Sequence, residues 1–261
     1  MNKFIKRSKQ TQEDFEKERD DIIWMMARFP FPKDIFLLNK HRILPGDGDV
    51  KSAMSKEDLT IFNLKELGVL SDVLYSSEPC LEIGCGMGVA LEYLANNGNG
   101  TYYSLEPEEE AFDFVKKRLD KNKNIIILKE KIEEKKFESG FFDFIYSHHV
   151  IEHIENPMIM LEKSREWLKK GGKLIISSPN AEAFHPKFLG IDKWRMRFPT
   201  HIWLPGKSNL FRILEANGFK ILKYITYGGF VAPRNIFKNI GNWLLKKWNL
   251  GDNIVILAEK I

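Results

Sequence analysis

The chain contains the stretch Leu81-Glu-Ile-Gly-Cys-Gly-Met-Gly88, in which a short apolar segment runs into glycines at alternate positions. Glycine permits positive φ and carries no Cβ, so the backbone can turn sharply and lie against a small molecule. The segment that follows, residues 89–96, is predicted to form a helix whose N-terminus points at the bound molecule. A dinucleotide-binding loop would require a third glycine where the chain has Val89, which disfavours that alternative.

A second strand is predicted over residues 101–105, and it ends at Glu106. A carboxylate at the end of the second strand, about 20 residues after the glycines, is placed to bind both hydroxyls of a ribose. The acids at 108–110 are interpreted as helix-start and surface charges. We therefore expect Glu106 to bind the ligand.

Strands and helices alternate along the rest of the chain. Strands are predicted at 124–128, 142–147 and 173–177, and a helix at 157–170 is expected to end at Gly171-Gly172. This alternation predicts a parallel sheet with helices on both faces. Ligands of such sheets bind beyond the carboxyl ends of the strands.

Three motifs resemble the class I S-adenosylmethionine (SAM) methyltransferases. The glycine loop matches E-x-G-x-G-x-G from Glu82, residues 147–157 resemble H-V-x-E-H-x-x-x-P, and residues 167–172 resemble an L-K-P-G-G turn. The resemblance covers residues 76–261 and points to the branch acting on small molecules. It implies a Rossmann-like sheet of seven strands, mostly parallel with the last antiparallel, formed with strands at 221–227 and 253–259.

The resemblance also implies the cofactor and its binding residues. We expect S-adenosyl-L-methionine to be bound by Glu82, Gly84, Cys85, Gly86, Gly88, Glu106, Pro107, Ile132, Glu133, Ser147 and His148. Many members place an Asp and a small residue near the adenine, where this chain has Lys131, Ile132 and Glu133. Lys131 cannot accept a hydrogen bond from the adenine amino group.

Histidines are the candidate bases for the acceptor. If the acceptor is a hydroxyl, a residue must take its proton, and histidine suits that task because its pKa lies near neutrality. We expect His149 or His201 to be the base, with His148 as a third candidate, and His153 to be structural. The cysteines, Cys80 and Cys85, show no metal-ligand spacing, so no metal is predicted.

Two segments lie outside the expected common core. Residues 1–75 are predicted to be an N-terminal helical extension that caps the pocket, with Trp24, Phe29, Phe31 and Tyr75 lining the acceptor site or packing on the core. Residues 76–261 are predicted to form the SAM-binding domain, with a helical insertion at about 229–250. The apolar stripe at 233–248 favours packing on its own domain or on a second copy, as in a homodimer, over a membrane surface.

The composition limits the classes of partner that the chain is expected to bind. The chain has 261 residues, 43% of them hydrophobic, and a net charge of +4, which weakly favours anionic partners. No apolar run is long enough to span a bilayer, no signal-peptide core is visible, and two cysteines suggest a cytoplasmic protein. The Asn/Asp-Pro-Pro-aromatic motif of base-methylating enzymes is absent, so no nucleic-acid partner is expected.

The predicted acceptor is therefore a small molecule, most simply the hydroxyl of a sugar, a glycan or capsule precursor, or a phosphorylated metabolite. Two alternatives remain open: an N-methyltransferase acting on a small amine, and a SAM-binding protein without catalysis.

Overall fold

The computed structural model describes residues 59–189, 201–228 and 244–261. Its helices and strands alternate along the chain, and one 3₁₀ turn lies between the fourth strand and the fifth helix. In chain order the elements are α1 (Leu59–Leu67), α2 (Leu70–Leu74), β1 (Cys80–Ile83), α3 (Val89–Asn97), β2 (Tyr102–Leu105), α4 (Glu109–Arg118), β3 (Ile125–Leu128), β4 (Phe142–His148), the 3₁₀ turn (Ile151–His153), α5 (Pro157–Trp167), β5 (Leu168–Pro179), α6 (Phe184–Leu189), α7 (Lys207–Ala216), β6 (Phe219–Tyr227) and β7 (Asn253–Lys260).

Seven strands of the described chain form one sheet in the order β3-β2-β1-β4-β5-β7-β6. The pairs from β3 to β5 are parallel, whereas β7 runs antiparallel to both β5 and β6. This confirms the predicted Rossmann-like sheet with an antiparallel last strand. The chain order reverses between β1 and β4, and such a switch point leaves a crevice at the carboxyl ends of the strands.

Buried side chains pack on both faces of the sheet because successive strand residues point to opposite sides. Cys80 of β1 belongs to a cluster shared with α1 to α4, and Leu81 belongs to a second cluster shared with the 3₁₀ turn, α5 and α7. Helices therefore cover both faces, as predicted. Helices α1 and α2 precede residue 76, yet Leu64 and Val73 are fully buried in the first of these clusters.

The helix predicted over 157–170 is shorter in the structure. Helix α5 begins at Pro157 and ends at Trp167, and it is capped by Asn156, whose Oδ1 accepts a hydrogen bond from the Met158 N–H. Leu168 is already extended, with φ −71° and ψ 142°, and it pairs with Phe142 of β4. Gly171, at φ 76°, therefore lies inside β5 and does not close the helix.

Several predicted features lie outside the described residues. They are most of the N-terminal extension with Trp24, Phe29 and Phe31, and most of the insertion at 229–250. The domain boundary at 75/76 stays a prediction. Among the described helices, none has the length and apolar character needed to cross a bilayer.

Candidate active site

A cavity of about 940 Å³ opens at the carboxyl ends of β1, β2 and β4. This volume lies within the range of small-molecule sites, about 300–1,000 Å³. Three segments form one side of the cavity: the glycine loop, the residues after β2 and the residues after β3. The other side is formed by the end of β4, the 3₁₀ turn and the start of α5.

The glycine loop follows β1 with positive φ at each of its glycines: 75° at Gly84, 52° at Gly86 and 70° at Gly88. No described heavy atom lies within 4 Å of a Cβ built on Gly86, so that position faces open space in the cavity. A Cβ on Gly84 would come within 2.5 Å of Val150 Cγ2. The loop thus leaves room for a ligand at Gly86 and packs closely at Gly84.

Glu106 follows β2 and is buried, with 3% of its surface exposed. Its Oε2 accepts a hydrogen bond from the Gly86 N–H at 2.8 Å, and its Oε1 accepts one from the Glu108 N–H at 3.1 Å. Each carboxylate oxygen has two lone pairs, so both oxygens can accept a further hydroxyl. The two N–H groups fix the carboxylate at the cavity wall.

The predicted cofactor residues divide into two groups. Those that line the cavity are Gly84, Gly86, Glu106, Pro107, Ile132, Glu133 and His148. Those that do not line it are Glu82, Cys85, Gly88 and Ser147. The assignment of both groups to the cofactor stays a prediction.

The residues of the second group, which do not line the cavity, are buried or closely packed. Glu82 and Ser147 are buried within their strands, and Gly88 caps α3 where a Cβ would collide with Val115. Burial, together with the charge of Glu82, raises the pKa of the Cys85 thiol. A neutral thiol is a poor nucleophile.

Lys131, Ile132 and Glu133 form the wall after β3, and Ile132 is 95% buried. An apolar side chain at that position can cover one face of a planar ring. Lys131 occupies the position at which many members of the family that the sequence resembles have an acidic residue.

His149 directly follows β4 and lines the cavity. Its backbone adopts φ 54°, a conformation that non-glycine residues rarely adopt and that clusters at functional sites. Its Nδ1 lies 2.8 Å from Oε1 of Glu152, a fully buried carboxylate. With Glu152 ionised, its carboxylate only accepts hydrogen bonds, which assigns the hydrogen to Nδ1 and leaves Nε2 as the acceptor.

The two other candidate bases differ from His149. Burial, with a smaller contribution from His149, lowers the pKa of His148 to about 3, and its Nδ1 lies 3.2 Å from the Asn63 amide nitrogen. Burial also lowers the pKa of His201 to about 4, although the charge of Glu152 opposes the shift. His148 lines the cavity and His201 does not. Both are weaker bases than an unperturbed histidine.

His153 was predicted to be structural, yet it lines the cavity from the 3₁₀ turn. Its ring lies edge-on to that of His201, with centroids 4.8 Å apart. Backbone hydrogen bonds bring the two rings together, because the Glu152 carbonyl accepts hydrogen bonds from the N–H groups of Ile202 and Trp203. Other cavity residues were not predicted. The apolar ones are Ile83, Met87, Leu105, Ala111, Val150, Ile154, Ile159 and Ile202, and the polar ones are Glu108, Glu130, Glu134, Glu155 and Asn156.

Sheet order, glycine loop and the cavity at the switch point together define the Rossmann-like methyltransferase class. A family model described as a methyltransferase domain matches residues 57–224. The chain therefore belongs to this family of SAM-dependent methyltransferases, and its cofactor is S-adenosylmethionine.

Curated relatives are distant. An uncharacterised protein of Methanocaldococcus jannaschii is 28% identical over 148 residues, which cover 55% of this chain and 68% of that protein. A tRNA U34 carboxymethyltransferase of Mannheimia succiniciproducens is 24% identical over 148 residues, covering 56% of this chain and 46% of the relative. A ubiquinone biosynthesis O-methyltransferase of Coxiella burnetii is 30% identical over 101 residues, covering 38% and 43% respectively.

Solved structures share the fold. A SAM-dependent methyltransferase from Thermotoga maritima superposes with a TM-score of 0.57 at 22% identity, covering 76% of this chain and 89% of that one. The [4+2]-cyclase SpnF superposes with a TM-score of 0.56 at 17% identity, covering 76% and 79%. Because one of these proteins is named for a cyclisation, the shared fold alone does not determine the reaction.

Proposed function

We propose that this chain transfers a methyl group from SAM to a hydroxyl of a small acceptor, with His149 as the base. The observation that carries the proposal is the pair of His149 and Glu152 at the end of β4, where the imidazole faces the cavity and the carboxylate is buried behind it. The sugar, glycan-precursor and phosphorylated-metabolite acceptors predicted from the sequence remain the candidate class.

The glycine loop and Glu106 fit SAM. The open space at Gly86 accommodates the part of the ligand that lies against the backbone, and Glu106 offers two lone pairs to the ribose hydroxyls. Gly84, Pro107, Ile132, Glu133 and His148 complete the proposed cofactor wall. When bound, SAM supplies a methyl group that its positively charged sulfur already activates.

His149 performs the proton step. Glu152 Oε1 fixes the imidazole with Nδ1 protonated, so Nε2 accepts the proton of the acceptor hydroxyl as the new carbon–oxygen bond forms. The buried carboxylate stabilises the imidazolium that results. Burial lowers the pKa values of His148 and His201, which makes each of them a weaker base than an ordinary histidine.

A small acceptor suits the cavity. About 940 Å³ is enough for a cofactor and a small molecule together, and the wall near His149 combines histidines with apolar side chains of Val150, Ile154 and Ile202. The ubiquinone biosynthesis O-methyltransferase among the relatives is named for methylation at oxygen. The tRNA U34 carboxymethyltransferase is named for an RNA acceptor, so RNA belongs in the test.

The test is turnover of SAM to S-adenosylhomocysteine with matched acceptors. Hydroxylated sugars, sugar phosphates and phenols are compared with the corresponding amines, and unmodified tRNA is included. We expect turnover with a hydroxyl acceptor and a fall in kcat of about 10²–10⁴ in His149→Ala, because the base is removed. SAM affinity, measured by calorimetry, is expected to stay within a few-fold of wild type.

The matched control is Glu110→Ala, an exposed α4 side chain away from the cavity wall, which we expect to turn over normally. Turnover with amines alone, or with tRNA alone, would overturn the proposal that the acceptor is a hydroxyl of a small molecule. A near-normal kcat in His149→Ala would show that His149 is not the base.

A further inference from the structure

We propose that Glu152, His153 and His201 bind a divalent transition-metal ion of the zinc class beside the SAM cavity. One potential ligand atom from each of these residues lies within 4.8 Å of the others. Two imidazole nitrogens and a carboxylate oxygen are the protein ligands of many catalytic zinc sites, which keep a fourth position open.

The backbone holds the three residues together. Glu152 and His153 lie on the 3₁₀ turn after β4, and the Glu152 carbonyl accepts hydrogen bonds from Ile202 N–H at 2.9 Å and Trp203 N–H at 3.1 Å. These two bonds attach the segment carrying His201 to the turn that carries the other ligands. The cluster therefore rests on main-chain contacts and not on chance contact between long side chains.

Glu152 provides a second, independent observation. It is fully buried, its Oε1 bonds His149 Nδ1, and its Oε2 has no hydrogen-bond partner among the described residues. A buried carboxylate oxygen without a partner is costly, and a bound cation would satisfy it. Bonds of about 2.1 Å in a tetrahedral site put ligand atoms about 3.4 Å apart, so atoms that now lie within 4.8 Å of one another need to approach by at most about 1.4 Å.

The ligand set selects the kind of ion. Imidazole nitrogens favour zinc and neighbouring transition metals, whereas magnesium and calcium prefer an all-oxygen shell. His149 lies outside the ligand set and bonds the carboxylate from the other side, as outer partners of metal ligands commonly do.

The position of the site suggests its use. His153 lines the cavity together with His149 and Ile202, so an ion bound by this residue would lie beside the space assigned to the acceptor. A cation there would bind the acceptor oxygen and make its proton easier to remove. This use rests on the proposed function, whereas the binding of the ion does not.

The experiment uses the full chain without a polyhistidine tag, freed of metal by a chelator. Zn²⁺ is titrated by calorimetry, and Co²⁺ is titrated in parallel because its visible absorption reports tetrahedral coordination. We expect one Zn²⁺ per chain, an intense Co²⁺ band, and no comparable binding of Mg²⁺.

Variants assign the site. His153→Ala and His201→Ala should each weaken Zn²⁺ binding by about tenfold or more. His148→Asn is the matched control, since this histidine lines the same cavity but lies outside the cluster, and its Zn²⁺ affinity should be unchanged. Thermal melts of every variant, recorded without SAM, check that the fold is intact.

Absence of a Zn²⁺ site in the wild-type chain, or unchanged affinity in both ligand variants, overturns the proposal. The two proposals fail separately, because Zn²⁺ titration needs neither SAM nor acceptor. A chain that binds Zn²⁺ at this cluster but methylates no hydroxyl keeps the metal site and loses the proposed acceptor.

Discussion

At the scale of single residues, the cavity depends on a few positions where a side chain is either absent or held by the backbone. Gly86 leaves space where a ligand can meet the main chain, and Glu106 is oriented by the Gly86 and Glu108 N–H groups. Sequence spacing alone predicted both positions. It could not predict that Glu82, in the same motif, is buried in β1 away from the cavity wall.

Replacing Gly86 with Glu should abolish SAM binding, because the new side chain would fill the open space against the backbone. The matched control is Gly171→Glu in β5. That glycine also has a positive φ, 76°, and no described atom within 4 Å of an added Cβ, but it lies away from the cavity. Calorimetry should show SAM binding lost only in the first variant, and equal affinities in both would contradict the assignment of the loop.

Glu106→Ala should weaken SAM binding by on the order of 1.5–3 kcal/mol, because hydrogen bonds to a charged carboxylate are lost. Glu110→Ala, an exposed acid on α4, should leave the affinity unchanged. Calorimetry measures both, and thermal melts check that Glu106→Ala still folds. An unchanged affinity in a folded Glu106→Ala protein would mean that the ribose lies elsewhere.

At the scale of elements, the sequence predicted the order of strands and helices well because hydrophobic periodicity is local. It placed the end of α5 wrongly, since Leu168 is extended by pairing with Phe142, a long-range contact with no local signal. The meeting of His153 with His201 was missed for the same reason. It depends on backbone bonds between the 3₁₀ turn and the segment at 202–203, which sequence spacing does not encode.

Helix α5 offers a test of an element on its own. Asn156 is exposed and its Oδ1 accepts the Met158 N–H at the start of the helix. Asn156→Ala should therefore lower the free energy of unfolding by about 1 kcal/mol, whereas Asn156→Asp should keep the cap. Denaturant unfolding of both variants measures the difference, and equal stability would show that the cap contributes nothing to this fold.

At the scale of the whole molecule, the site depends on the sheet as a single unit. The glycine loop, Glu106 and His149 come from three different strands, and only the parallel pairing of β1 with β2 and β4 brings their ends together. Helices α1 and α2 bury Leu64 and Val73 in the cluster on one face, so the packed region begins by residue 59. The first 50 residues precede that region.

Deleting residues 1–50 should leave SAM binding largely intact and lower the rate of methyl transfer. The proposed cofactor wall comes from residues 84–148, and the cut spares α1, so the buried cluster that includes Leu64 keeps its members. If the N-terminal extension closes over the acceptor, its loss exposes the reacting groups to water and loosens the alignment of the acceptor.

The measurements are SAM affinity by calorimetry, the melting temperature with and without SAM, and kcat and KM for the acceptor. We expect a SAM affinity within a few-fold of the full chain, a melting temperature that still rises with SAM, and a fall in kcat/KM for the acceptor. The His149→Ala variant in the full chain provides the comparison, because it removes the base and leaves the extension in place. A truncated protein that binds SAM and methylates at the full rate would show that residues 1–50 do not cap the site.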